Sequence, residues 1–293
     1  MFEHLDESVV PIIGQSLKDK LDWVRSDFWV GYTRADEILG YLEDLMQYPK
    51  SIRMPCALLV GEPGNGKSTI VEEFSARHEV TFKETGEPIK PVLVMDMPSR
   101  PKDSEFYSQI LFALRVAHKT SDGVESKKDQ AHRMLLALQT RIVILDEFHD
   151  ILHCTSREQR AFLAVLKKLT NLLKIPIVGV GTREAITVFH TDTQLSSRFE
   201  AIGLSKWKLD KEFIKLLVSF ERLLPLAEPS YLNNREIATK LFNMSEGTIG
   251  GLNRVLVMAT TEALREGKEK ITLEILNKIN YVKLKDYGLQ ANK

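Results

Sequence analysis

One stretch constrains this chain more than any other: Gly61-Glu62-Pro63-Gly64-Asn65-Gly66-Lys67-Ser68, placed between the apolar run CALLV and a helical pattern starting at Lys67. It fits GxxxxGK[ST] in full, in the strand-then-helix setting that the pattern needs. Glycines let the backbone curl so that successive N–H groups point inward at phosphate oxygens, and the following helix turns its N-terminus to the same anion. Lys67 is placed to bridge the β- and γ-phosphates, and the hydroxyl of Ser68, followed by Thr69, to ligate Mg²⁺. The stretch predicts a nucleoside triphosphate site.

A second strand pattern, Arg141-Ile142-Val143-Ile144-Leu145-Asp146-Glu147, ends in two carboxylates. At a strand end beside a phosphate loop, Asp146 suits Mg²⁺ and Glu147 suits a general base on the attacking water. The pair argues for hydrolysis over binding alone. No Asn/Thr-Lys-x-Asp tetrapeptide for reading guanine occurs, so ATP is expected rather than GTP.

Around these motifs, nearly continuous Val/Ile/Leu runs at 56–60, 92–96, 142–146, 177–180 and 201–204 alternate with helical patterns at 67–78, 104–118, 127–139 and 157–173. Apolar strands separated by helices predict an α/β fold with a parallel sheet flanked by helices. After residue 206 only helical patterns remain: one through Phe213, Leu216, Leu217 and Phe220, then 236–242, 249–265 and 272–279, with Thr272 as an N-cap. The expected organisation is a helical N-terminal segment at 1–50, an α/β core at 51–205, a small all-helical lid at 206–285 and a tail at 286–293.

The phosphate loop, the strand ending in Asp-Glu and the helical lid together resemble an AAA+ ATPase. The resemblance implies further roles. Thr182, after the strand at 177–180, matches the first sensor, which touches the γ-phosphate or the attacking water. Leu195-Ser196-Ser197-Arg198-Phe199 resembles the segment whose arginine finger, here Arg198, acts on ATP held by a neighbouring subunit. Gly250-Gly251-Leu252-Asn253-Arg254 resembles the second sensor, with Arg254 as its arginine. Phe28-Trp29-Val30-Gly31-Tyr32-Thr33-Arg34-Ala35 occupies the place of a nucleotide-base contact through Trp29, Tyr32 and Arg34. Within AAA+, that phrase is similar to the TniB/TnsC family of bacterial transposition regulators, as are Asp146-Glu147-Phe148-His149-Asp150-Ile151-Leu152 and Pro176-Ile177-Val178-Gly179-Val180-Gly181-Thr182. That resemblance implies an ATPase that forms a homo-oligomer on double-stranded DNA without reading its sequence, recruits a transposase and receives target information from a TniQ-like adaptor. A replication initiator or helicase loader would share the same catalytic residues. A nucleotide-dependent signalling switch without turnover is the reading from another class.

Composition sets bounds on these expectations. The 293 residues carry 40 Lys+Arg and 40 Asp+Glu, so any basic DNA-binding surface must be local. Positions 100–141 hold a mild basic excess, eight Lys/Arg against five Asp/Glu, and Arg100, Lys102 and Lys119 are the candidate phosphate contacts. Two cysteines, Cys56 and Cys154, make neither a disulfide scaffold nor a zinc module. His149 and His153 are spaced i, i+4, but no HExxH or third ligand accompanies them. The acidic start MFEHLDESVVPIIG and the lack of any ~18-residue apolar run predict no signal peptide and no membrane span, the sparse cysteines suit a cytoplasmic location, and the resemblance implies a bacterial one.

Overall fold

The computed structural model describes residues 2–98, 100, 102–190 and 196–279. The tail expected at 286–293, the last residues of the expected lid and Leu195 lie outside the described residues. The chain divides into two compact units, Arg34–Ser205 and a second one that runs up to Thr33 and resumes at Lys206.

The first unit is built on a five-stranded sheet. Its strands are β1 (Cys56–Gly61), β4 (Val92–Asp96), β5 (Ile142–Asp146), β6 (Ile177–Gly181) and β7 (Phe199–Leu204), in the order β4-β5-β6-β1-β7. All neighbours pair in parallel, with Leu58 opposite Gly179 and Ala201, and Asp96 opposite Asp146. Parallel strands covered on both faces read as unbroken apolar runs, and β1 and β6 are buried along their whole length. A hairpin that the strand patterns do not predict, β2 (Thr81–Phe82) with β3 (Pro88–Ile89), precedes β4. Two residues per strand are too few for a period to register.

Helices α3 (Thr33–Gln47), α4 (Lys67–Arg77), α5 (Asp103–Ala113), α6 (Val124–Ala137), α7 (Ser156–Leu173) and the short α8 (Ile186–Phe189) complete this part of the chain. Helix α5 stops five residues before the expected 118. Arg115 adopts a left-handed backbone (φ 57°), and N–H groups of Arg115 and Val116 bond the carbonyls of Phe112 and Leu111. That is a Schellman closure made without the usual glycine. One apolar cluster joins β1, β4, β5 and β6 to α5, α6, α7 and α8, with Phe106, Phe148 and Phe162 wholly buried in it.

The second unit is helical: α1 (Val10–Ile13), α2 (Leu17–Arg25), α9 (Lys211–Glu221), α10 (Arg235–Ser245), α11 (Ile249–Arg265) and α12 (Leu273–Lys278). Thr272 caps its helix as expected, accepting from the Ile275 N–H, and Ser16 and Asp19 form a capping box on α2. Its core gathers Phe213, Leu217, Leu241, Val255 and Leu256 with Val30, and Phe28 and Tyr32 pack against it. The expected N-terminal segment at 1–50 is therefore divided. Val30, with Leu21, Phe28 and Tyr32 packed beside it, joins the core of the C-terminal helices, while α3 buries Ile38, Leu39 and Leu42 as part of the sheet-containing unit.

Candidate nucleotide site

The order β5-β6-β1 puts three strand ends side by side, at the ~4.8 Å spacing of paired strands. The segments leaving them, distant in sequence, meet around a cleft of about 350 Å³ lined by Pro63 to Thr69, Asp146, Glu147, His149 and Thr182. This places the cleft at the C-terminal edge of a parallel sheet, where α/β folds bind ligands.

The loop after β1 owes its curl to two left-handed glycines, Gly64 (φ 70°) and Gly66 (φ 88°), the latter capping α4. Gly61 is held by proximity instead: a Cβ there would stand 2.5 Å from the Leu204 carbonyl oxygen of β7. Asn65, 1% exposed, fastens the loop to the same neighbour, its Nδ2 donating to the carbonyls of Leu204 (2.9 Å) and Ser205 (2.8 Å). Its Oδ1 is buried with no hydrogen-bond partner.

Lys67 Nζ donates to the carbonyls of Gly61 (2.9 Å) and Glu62 (3.0 Å). Burial draws the ammonium below the ordinary lysine range, against the opposing pull of Asp146, Glu147 and Glu62. A cation near three carboxylates and inside a ring of loop amides forms an anion-binding centre. Ser68 and Thr69 are exposed on the first turn of α4 and line the cleft.

Across from the loop, Asp146 accepts the Glu147 N–H at 2.8 Å. Glu147 is itself left-handed (φ 53°, ψ 36°), a conformation costly for a non-glycine residue, and it joins β5 to the 3₁₀ turn Phe148–His153. The turn brings His149 Nδ1 to 3.3 Å from Glu147 Oε2, within ion-pair range for a protonated imidazole, but their angles make no hydrogen bond. Gly181 admits this arrangement, because a Cβ there would lie 3.2 Å from the His149 backbone nitrogen. Thr182 follows, half-buried, and its hydroxyl bonds to Glu184, holding that carboxyl below its usual range.

The structure thus brings Gly64, Asn65, Gly66, Lys67, Ser68, Thr69, Asp146, Glu147 and Thr182 to one cleft, with Pro63; Gly61 and Glu62 meet Lys67 from behind. Other expected site residues stand elsewhere. Arg198 is half-buried, bonded through Nη1 to Asn171 Oδ1 of α7 at 2.7 Å, and its charge opposes the burial that pushes the Cys56 thiol up to about 11. Sequence reasoning does not find Asn171, which sits in the last turn of α7 in no motif. Arg34 spends its guanidinium on the Gly203 carbonyl (3.0 Å) and on Glu37 (2.7 Å). Trp29, Tyr32 and Arg254 belong to the helical unit, where Tyr32 packs edge-on against Trp207 at 5.0 Å and Arg254 is exposed on α11. Arg100, Lys102 and Lys119 are all exposed. The first two share the surroundings of Glu158, and Lys119 stands in the turn after α5, its N–H on Asp122.

Asp146 and Ser68 offer hard oxygen donors on facing sides of the cleft, a set that fits Mg²⁺. Among the described residues no group of three or more His, Cys, Asp or Glu could hold a metal alone. Among the described residues no helix is long and apolar enough to cross a membrane.

Comparison with known proteins gives consistent results. The profile of a family described as "Bacterial TniB protein" matches residues 20–209. The chaperone protein ClpB of Mycoplasma genitalium is 24% identical over 88% of this chain, which spans only 38% of that relative's length. Among solved structures, the Aeropyrum pernix ORC2 protein in its ADPNP–ADP complexes is similar at TM-score 0.61 and 17% identity, over 87% of this chain and 70% of that one. The Aeropyrum pernix ORC1 protein in complex with DNA gives 0.62 and 16%, over 92% and 68%. The Thermotoga maritima RuvB Holliday junction branch migration motor gives 0.50 and 15%, over 87% and 72%. At such identities the likeness is one of fold, and that fold is the P-loop AAA+ arrangement of parallel sheet and C-terminal helices.

Proposed function

The chain belongs to the TniB family, and from that premise we propose that it is an ATPase that assembles with ATP on DNA and regulates transposition. The observation that carries the reading is the cleft itself, where Lys67, Ser68, Asp146, Glu147 and Thr182 converge from three adjacent strand ends. Loop amides and Lys67 hold the β- and γ-phosphates, Lys67 exchanging the Gly61 and Glu62 carbonyls for phosphate oxygens. Ser68 and Asp146 hold Mg²⁺, which when bound supplies charge neutralisation at the transferred phosphoryl group. Glu147 accepts a proton from the attacking water, and Thr182 orients that water or a γ-phosphate oxygen.

Arg198 belongs to the neighbouring subunit's reaction in this reading, which fits its position outside the lining of its own cleft. Arg254, and the base contacts of Trp29, Tyr32 and Arg34, complete the nucleotide's surroundings on the family pattern. DNA is bound through its backbone by Arg100, Lys102 and Lys119, repeated around a homo-oligomer. A solved protein of the same fold is in complex with DNA, which supports this part of the reading. A transposase and a TniQ-like adaptor are the proposed protein partners, in the bacterial cytoplasm.

The test is electron microscopy with ATP, with and without duplex DNA, beside nucleotide-binding measurements. Wild type should form DNA-dependent assemblies, and Lys67→Ala should lose γ-phosphate engagement and assembly together. Wild-type nucleotide affinity in Lys67→Ala would remove the assignment of Lys67. Charge reversal at Arg100, Lys102 and Lys119 should weaken DNA binding at every salt concentration and spare nucleotide affinity.

A further inference from the structure

At the opposite edge of the sheet, where β5 and β6 begin, a second cavity of about 370 Å³ opens between the ends of α3, α6 and α7. Its volume lies within the ~300–1,000 Å³ range of ligand and peptide pockets. Three cations line it: Lys50, Arg141 and Lys174. No Asp or Glu does, in a chain where the two signs are equally numerous. Cations near helix C-termini often bond the last carbonyls. Among the described residues these three make no side-chain hydrogen bond or ion pair.

The floor is apolar and buried, formed by Met54, Leu135 and Ile175, and the rim carries Tyr48 and Leu136, the latter 58% exposed. Ile52, 82% exposed, lies in the segment between the lining residues Lys50 and Met54. An uncovered apolar rim beside uncompensated cations marks an interaction surface. We propose that this cavity docks an acidic segment of another protein, which inserts an aromatic or aliphatic side chain onto the Met54–Leu135–Ile175 floor and sets carboxylates against Lys50, Arg141 and Lys174. A nucleic-acid backbone meets the charge requirement only. It has no use for a concave apolar floor, and its phosphates are spaced along a rod rather than gathered over one pit. The methionine in the floor adapts to the inserted side chain.

This inference does not depend on the nucleotide reading, because the cavity shares no residue with the phosphate cleft. The experiment selects binders to the full chain from a random twelve-residue display library, then measures synthetic copies by fluorescence anisotropy. Selected peptides should combine Asp or Glu with Trp, Phe or Leu. They should lose ~10-fold or more in affinity to Lys50→Glu/Arg141→Glu/Lys174→Glu, because like charges then face each other. Leu136→Asp, a change at an exposed position, should weaken them too, and both variants should keep wild-type thermal midpoints and nucleotide affinity. Absence of selected binders, or binders that both variants hold as tightly as wild type does, overturns the proposal. So does a triple variant that loses duplex DNA or inorganic phosphate while binding the peptides normally, since the cavity would then be an anion or nucleic-acid contact.

Discussion

Replacing Asn65 probes the joint between the phosphate loop and β7 more directly than replacing any glycine. In Asn65→Ala, the buried Leu204 carbonyl loses a donor, while the carbonyl of Ser205, an exposed residue, loses one that water can replace. Each buried acceptor left without a partner costs about 1–3 kcal/mol. The truncation also removes Oδ1, which is buried and unpaired already, and so relieves a cost of similar size. The two effects nearly offset, so the net loss should be no more than about 1 kcal/mol. Asn65→Asp keeps the shape but sets a carboxylate against two carbonyl oxygens, and an uncompensated buried charge costs about 3–5 kcal/mol. Urea unfolding of the nucleotide-free protein should rank the three proteins Asn, Ala, Asp, with midpoints falling at constant slope. ATP affinity should fall in the same order, because the loop amides lose their anchor. If Asn65→Asp unfolds at the wild-type midpoint, the two carbonyls are not held by this amide and the reasoning fails.

Other expectations follow from the same geometry. Glu147→Gln should bind ATP normally and turn it over ~10²–10⁴-fold more slowly, as loss of a general base does, and unchanged turnover in a phosphate-release assay would move the base elsewhere. Arg198→Ala should lose ~10³–10⁵ in rate, and mixing it with Lys67→Ala subunits should restore part of the activity by pairing an intact loop with an intact arginine. Mixed assemblies that stay inactive would argue against action across subunits. Asn171→Ala should lower turnover less than Arg198→Ala, because it only releases the guanidinium from α7. His132 is buried beside Tyr107, and desolvation lowers its pKa. The unfolded chain therefore takes up the proton first, and stability should fall as pH drops from about 6.5 through the lower folded value. His132→Phe should flatten that acid limb of the urea midpoint, and an unaltered limb would clear this histidine.

How far the sequence is legible depends on how local the cause is. The phosphate loop lies within eight consecutive residues; of its two left-handed glycines, Gly66 stands where the pattern fixes a glycine and Gly64 at a position that the pattern leaves open. Helix ends are legible where a signal residue closes them, as with Gly267 after α11, whose Schellman bonds reach Leu264 and Ala263. The same closure after α5 and α6 uses Arg115 and Gln139, which announce nothing. The Schellman bonds hold them left-handed, and no local preference does.

By itself, then, the sequence determined the chemistry of each strand end: amides and an ammonium after β1, two carboxylates after β5, a hydroxyl after β6. Strand order decided that these ends are neighbours, and order is a matter of which apolar runs pair, a choice invisible to the pattern within each run. Tertiary structure also decided where the amphipathic N-terminal residues go. Val30 and Ile38 are both apolar, and both are buried. Only packing sends Val30 to the helical unit and Ile38 to the unit that contains the sheet, and turns Arg34, between them, onto the carbonyl of Gly203. A hydrophobic side chain is driven out of water with the same force toward any apolar surface, so the identity of that surface is settled by shape and by chain connectivity.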